Sequence, residues 1–293
     1  MLLEGKNIII TGAGRGIGAE VAKACAKEGA KIGLTARSTD ELNNVKTEIE
    51  QQINGAIVLI KTADITEFKE VEKIFKEFSE EMGLIDGVIA NAGASKKGAT
   101  HEFDPDMFLT IIKVNILGVF NTFKAAFPHL NKENKKDKAR FIITGSAAYP
   151  NAMPQFAGYT ATKYATVGLQ KALAAEYKRE NISFNQVLPT MVDTRLLRGK
   201  KARDGTKGAG IMDPWDLNDY YLFLLSPDAS RMNDELLISS DIEAVKKIIL
   251  ESPQDKKENW DIFKAYLEEN YEKLYNNVKK LGKFIEFLLN RIK

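Results

Sequence analysis

Short β-branched runs alternate with amphipathic stretches through the first 190 residues. The runs at 7–11, 31–36, 56–61, 85–90, 140–144 and 182–188 predict strands. The stretches between them, at 17–28, 39–52, 67–82, 105–130 and 159–180, carry helical periodicity. Such alternation is the sequence form of repeated βαβ units around a parallel sheet. Asp104 before Pro105 reads as a helix cap followed by proline in the first turn. NKENKKDK at 131–138 reads as a solvated connection ahead of the fifth strand.

Residues 190–212 break the pattern with an irregular, basic, glycine-containing segment, before a helix at about 213–225 and a short strand near 234–239. From 240 the chain turns to charged helical sequence. The expected organisation is therefore an α/β domain over 1–240, a doubly wound parallel sheet, and a C-terminal α-helical extension over 241–293. In that extension Tyr271, Leu274, Val278, Leu281, Ile285, Leu288 and Ile292 follow heptad spacing. An apolar seam of this length must cover its own domain or meet another chain. Tyr275, Phe284, Phe287 and Leu289 widen the stripe toward packing on a broad surface, and a contribution to a homo-oligomeric interface is expected.

Charge narrows the partners. Lys and Arg total 42 against 40 Asp and Glu, a net charge of +2 that makes no general case for nucleic acid or a membrane surface. The single cysteine, Cys25, excludes an internal disulfide framework and fits a reducing compartment. The opening MLLEGKNIII lacks the basic start and long apolar core of a signal peptide, and no apolar run approaches membrane-spanning length. A soluble cytoplasmic protein is expected. His101 and His129 are too few and too scattered to suggest a metal site.

The first strand runs into a glycine-rich turn, IIITGAGRGIG at 8–18. It is not G-x-G-x-x-G, because Ile17 stands where that motif needs its third glycine; the spacing is Gly12, Gly16 and Gly18, with Gly14 added. A strand feeding such a turn into a helix offers bare amides and the positive end of a helix dipole to a pyrophosphate. No Gly-Lys-Ser/Thr follows, which excludes a P-loop. After the second strand, GLTARS has Ala36 and Arg37 where NAD sites usually carry an acid, and Arg15 sits in the glycine turn. Two guanidiniums and no carboxylate favour NADP(H) (NADPH) over NAD(H). The competing reading is a turn that serves helix packing, with both arginines solvated.

Tyr159 and Lys163 stand four apart, on one face of a helix. A free phenol has a pKa of about 10, and a neighbouring ammonium stabilises its anion and lowers that value. Tyr159 can then give a proton to a carbonyl oxygen receiving hydride or take one from an alcohol. Ser146, after the fifth strand, is placed to bind the same oxygen.

The ordered set of the glycine turn, NAG at 91–93, Asn115, Ser146 and YTATK at 159–163 resembles the short-chain dehydrogenase/reductase family over roughly residues 5–240. The resemblance implies a Rossmann fold and an oxidoreductase acting on a small carbonyl or alcohol. It implies that Lys163 holds the nicotinamide ribose beside Tyr159 and that Asn115 holds a water linking Lys163 to solvent. It also implies that Asp64 contacts the adenine amino group and that Asn91, Ala92 and Gly93 line the adenosine side. Ile17, Ser38, Ile65 and Val192 beside these motifs join the implied cofactor contacts. In LPTMVDT, Pro189 matches the family, Thr190 replaces its glycine, and Thr194 takes the place of the threonine that bonds the carboxamide. The family's C-terminal glycine pair is missing from NDELLISSDIE. Arg195–Gly210 corresponds to a mobile lid, whose basic residues suit an anionic substrate or a solvated loop. A rival reading is a nucleotide-responsive binding or assembly module acting through the helical tail.

Overall fold

The computed structural model describes residues 1–133, 137–258 and 260–292. Among the described residues seven parallel strands form one sheet in the order β3-β2-β1-β4-β5-β6-β7. They are β1 (Asn7–Thr11), β2 (Lys31–Ala36), β3 (Val58–Thr62), β4 (Gly87–Ala90), β5 (Ala139–Thr144), β6 (Ile182–Leu188) and β7 (Glu235–Ile238), each within two residues of its expected place. The sheet is doubly wound, and chain order reverses between β1 and β4. The connection expected at 131–138 falls partly on 134–136, outside the described residues.

The connecting helices are α1 (Gly16–Lys27), α2 (Thr39–Gln52), α3 (Phe68–Met82), α4 (Pro105–Ile112), α5 (Gly118–Ala126) and α6 (Ala157–Glu176). Strand side chains alternate between two apolar layers. Ile8, Ile10, Ile32, Leu34, Ile142 and Val187 point into the layer shared with α1 and α2. Ile9, Val88, Phe141, Ile143 and Phe184 point into the layer shared with α3, α5 and α6.

The helix expected over 105–130 is interrupted. A π turn at Lys113–Leu117 separates α4 from α5, and a 3-10 turn at Phe127–His129 follows. This helical run, Pro105–His129, is 25 residues long and apolar enough by composition to cross a bilayer, which corrects the expectation that no segment reaches that length. Val119, Phe123, Ala125 and Ala126 of the run are buried in the layer under the sheet, and Asn115, Asn121 and Thr122 are buried with hydrogen bonds, as in a core helix.

Beyond β6 the irregular segment contains a short α7 (Arg195–Arg198), followed after a capping box between Asp213 and Asp216 by α8 (Asn218–Leu225). The tail comprises α9 (Ser239–Glu251), α10 (Trp260–Asn270), α11 (Glu272–Val278) and α12 (Gly282–Ile292). The heptad positions do not lie on one helix, because a 3-10 turn at Lys279–Leu281 separates α11 from α12. Gly282 permits that change of direction: a Cβ there would stand 2.6 Å from the Trp260 indole nitrogen. Phe263, Leu267, Val278, Phe284, Ile285 and Leu288 are buried in the same core layer as α1 and α8. Phe284 stacks on Phe223 of α8 with centroids 4.8 Å apart. Arg291 closes the contact by bonding Asp219 at 3.1 Å and Glu28 at 3.0 Å.

Candidate active site

The predicted site residues gather at the carboxyl ends of the strands around the β1/β4 reversal, where open α/β sheets place their ligand crevices. Gly12 and Gly16 have φ of +64° and +59°, a left-handed backbone that admits glycine readily. At Gly18 the constraint is space: a Cβ would stand 2.6 Å from both the Asn91 amide nitrogen and the Gly12 carbonyl oxygen. α1 therefore starts tightly against the end of β4. Its amino end has no side-chain cap and no acid in its first turn, so its dipole is open to an anion, as a pyrophosphate-binding loop requires. Ile17 follows Gly16 in that first turn.

NAG works largely on the protein itself. Asn91 donates its amide to the carbonyls of Thr11 at 3.0 Å and Gly12 at 3.2 Å, while Thr11 Oγ1 accepts from the Asn91 and Ala92 N–H groups, each at 3.1 Å. Thr11, to which the sequence reading gives no role, thus splices β1 to β4. Gly93 lies beside the Asn115 amide oxygen, 3.4 Å from where its Cβ would be.

On the β2/β3 side Arg37 is exposed and has no bonded partner among the described residues. Ser38 caps α2 by accepting from the Glu41 N–H at 3.3 Å. Asp64 closes a turn by accepting from the N–H and hydroxyl of Thr66, both at 2.9 Å. Ile65 is buried against Gly118, and its carbonyl accepts from Asn121 at 3.0 Å. One count from the sequence needs correction: a carboxylate does stand here. Glu41 accepts from Arg15 at 2.5 and 2.8 Å and from Arg195 at 3.1 Å. The Ser-x-x-Glu spacing of Ser38 and Glu41 signals a capping box, but not the tertiary partners that draw the carboxylate away.

Ser146, Tyr159 and Lys163 converge beyond β5, and each is less than a tenth exposed. Ser146 accepts from the Ala148 N–H at 3.1 Å and faces the Tyr159 phenol closely enough to lower its pKa. Burial raises the Tyr159 pKa, and the Ser146 hydroxyl works against that rise. Lys163 lies one helical turn on; it donates to the Thr144 carbonyl at 2.9 Å, and burial pushes its pKa down to about 8. Thr144 is a second residue absent from the sequence reading, and its hydroxyl pairs with Tyr221 of α8 at 2.8 Å. Asn115 sits in the π turn and is 1% exposed. Its amide brackets Ala94, accepting from the N–H at 2.8 Å and donating to the carbonyl at 2.9 Å, and also donates to Thr162 at 2.9 Å. It ties the loop after β4 to α6.

Pro189 accepts from Ala147 at 2.8 Å. Thr190, standing where the family has glycine, has no positive φ and donates its N–H to Ser239 Oγ at 2.8 Å. Val192 bridges to Met212, and the Thr194 methyl lies over Gly16. The basic segment that follows is partly neutralised. Arg195 bonds Glu41, Arg198 bonds Asp193 and Asp204, Arg203 bonds Glu20, and Lys207 pairs with Asp213. These pairs engage four of the segment's six basic residues, with Glu41 also shared with Arg15 and Glu20 with Lys23. An apolar cavity of about 230 Å³ opens next to Ala157 and Gly158, walled by Phe103, Pro105 and Phe108.

The family model for short chain dehydrogenases matches residues 6–205. A 3alpha-hydroxysteroid dehydrogenase of Mediterraneibacter gnavus is 28% identical over 243 residues, covering 81% of this chain and 96% of that protein. The 3-ketoacyl-(acyl-carrier-protein) reductase of Brucella melitensis, solved with NADH, superposes with a TM-score of 0.73 at 32% identity, covering 80% of this chain and 97% of that one. A short chain dehydrogenase of Burkholderia cenocepacia in complex with NADP superposes with a TM-score of 0.73 at 26% identity, covering 81% and 97%.

Proposed function

This chain belongs to the short-chain dehydrogenase family of oxidoreductases, and we propose that it interconverts a carbonyl and an alcohol with NADP(H), Tyr159 serving as general acid and base. The convergence of buried Ser146, Tyr159 and Lys163 at the end of β5 carries this reading. The nicotinamide, when bound, supplies or takes the hydride. Gly12, Gly14, Gly16, Ile17 and Gly18 would hold the pyrophosphate at the α1 amino end. Arg15, Arg37 and Ser38 would take the 2′-phosphate. Asp64, Ile65, Asn91, Ala92 and Gly93 would border the adenosine, and Pro189, Thr190, Val192 and Thr194 the carboxamide. Tyr159 and Lys163 would hold the nicotinamide ribose.

Burial raises the Tyr159 pKa, so the phenol is protonated and can donate to a carbonyl oxygen receiving hydride. Ser146 shares that oxygen and orients it. The Lys163 ammonium stabilises the phenolate left behind. The apolar cavity beside Ala157 and Gly158, walled by Phe103, Pro105 and Phe108, suits a substrate carrying an apolar substituent. NADP(H) is favoured because β2 ends in Ala36 and exposed Arg37; the relatives include one solved with NADH and one with NADP, so the choice rests on this chain's own residues. Tyr159→Phe is expected to lower turnover about 10²- to 10⁴-fold and to leave NADPH binding, read by fluorescence, nearly intact. Near-normal turnover would overturn the assignment.

The protein is further read as a homo-oligomer. In the tail Val278, Leu281, Ile285 and Leu288 are buried on its own domain while Tyr271 is exposed, and a run of exposed apolar side chains lies on 105–120 and α6: Met107, Phe108, Leu109, Leu117, Phe120 and Tyr164. Phe120→Glu should shrink the particle in light scattering; an unchanged size would reject this face.

A further inference from the structure

Glu41 joins three segments that are distant in sequence. It lies in the first turn of α2, its carboxylate receives Arg15 of the glycine turn at 2.5 and 2.8 Å, and Arg195, the first residue of α7, reaches it at 3.1 Å. It also covers the turn itself, since a Cβ on Gly14 would stand 3.1 Å from Glu41 Oε2. Arg37, the other guanidinium on this side, is unpaired among the described residues. The arginine nearest the pyrophosphate loop is therefore already engaged by an acid, and the outer one is free.

Resting on the NADP(H) reading, we propose that Glu41 is a specificity-determining residue that competes with the cofactor's 2′-phosphate for Arg15, and so sets the ratio of NADP(H) to NAD(H) affinity. NAD(H) shares the pyrophosphate but lacks the 2′-phosphate, so its affinity should be far less sensitive to the pair. Arg195 keeps the Glu41 charge compensated when Arg15 turns to the phosphate, which makes the competition mild. Its size is bounded by exposure: the Arg15 side chain is 54% and that of Glu41 26% accessible, and ion pairs in such settings are worth only a few-fold in an equilibrium.

Glu41→Gln keeps the side-chain length over Gly14 and removes the charge. Dissociation constants for NADPH and NADH, read from nicotinamide fluorescence on the full chain, should show NADPH tightening roughly two- to fivefold and NADH nearly unchanged. The gain should shrink at high salt and vanish in Arg15→Ala. An unchanged NADPH-to-NADH ratio, a loss of NADPH affinity, a parallel change in NADH, or an equal gain without Arg15 would each overturn the proposal. Glu41→Asp, whose shorter carboxylate draws back from Arg15, must shift NADPH in the same direction as Glu41→Gln; an opposite shift would also overturn it. Arg15→Ala and Arg37→Ala separately test the underlying reading. If neither alters the ratio, the NADP(H) assignment fails; if they alter it and Glu41→Gln does not, only the role of Glu41 fails.

Discussion

The Lys163 ammonium donates to the main-chain oxygen of Thr144 at 2.9 Å and lies 5.4 Å from the centroid of the Tyr159 ring. Its hydrogen bond goes to a neutral carbonyl, so burial dominates and brings its pKa down to about 8. Reduction that needs the charged amine should lose rate as pH rises through about 8. Lys163→Arg, which stays charged, should lose this alkaline limb in steady-state pH profiles. A limb persisting there would assign it to another group.

For stability the sign is reversed. The folded value of about 8 lies below the ordinary 10.5, so between these values the unfolded chain binds more protons and stability rises with pH. Lys163→Met should accordingly be more stable at neutral pH, by about 1–3 kcal/mol, while losing activity. Denaturant unfolding measures this, and a less stable variant would show that the Thr144 bond outweighs the burial of charge.

Arg37→Ala should weaken NADPH roughly ten- to a hundredfold, the worth of one charge-assisted contact, and leave NADH alone. Equal loss for both cofactors would place Arg37 elsewhere than at the 2′-phosphate.

Two glycines of one turn should respond differently to alanine. At Gly18 the new methyl would stand 2.6 Å from both the Gly12 carbonyl and the Asn91 amide, whereas at Gly14 the nearest atom is the Glu41 Cβ at 2.9 Å, a looser contact. Gly18→Ala is expected to cost about 1–3 kcal/mol or more in unfolding experiments, and Gly14→Ala distinctly less. Equal losses would contradict the packing described for the β1–α1 turn.

Phe284→Ala removes the ring stacked on Phe223 and should destabilise the whole chain by about 3–5 kcal/mol. A single unfolding transition, shifted as a unit, is expected in calorimetry. A separate early transition would mean that the tail melts independently.

The period-2 and period-3.6 patterns carried the sheet and most of its helices, because each strand run was bounded by a turn and each helix had one apolar face. Ser146, Tyr159 and Lys163 were legible because their spacing maps directly onto one strand end and one helix face. Asn115 was recognised, but not the π turn that carries it, which adds one residue to a helical turn without glycine or proline to announce it. The pairing of Glu41 with Arg15 and Arg195 spans 26 and 154 residues, distances over which local pattern says nothing. The same holds for the lid, whose unbalanced local charge is compensated by acids brought in from α1 and α2. In the tail, heptad spacing concealed a change of axis at Gly282, dictated by the Trp260 indole.

The stacking of Phe284 on Phe223 also orders events during synthesis. Strands and helices preceding α8 can pair as they emerge, since their contacts are already present in the nascent chain. Tyr220 meets Glu243 and Lys246 once α9 is made, but Phe223 has no stacked partner until α12, some sixty residues later. Through that interval the Phe223 ring lacks its aromatic cover, a natural grip for a holdase and a risk for aggregation. Completion of α12, rather than completion of the sheet, is the step that shields it.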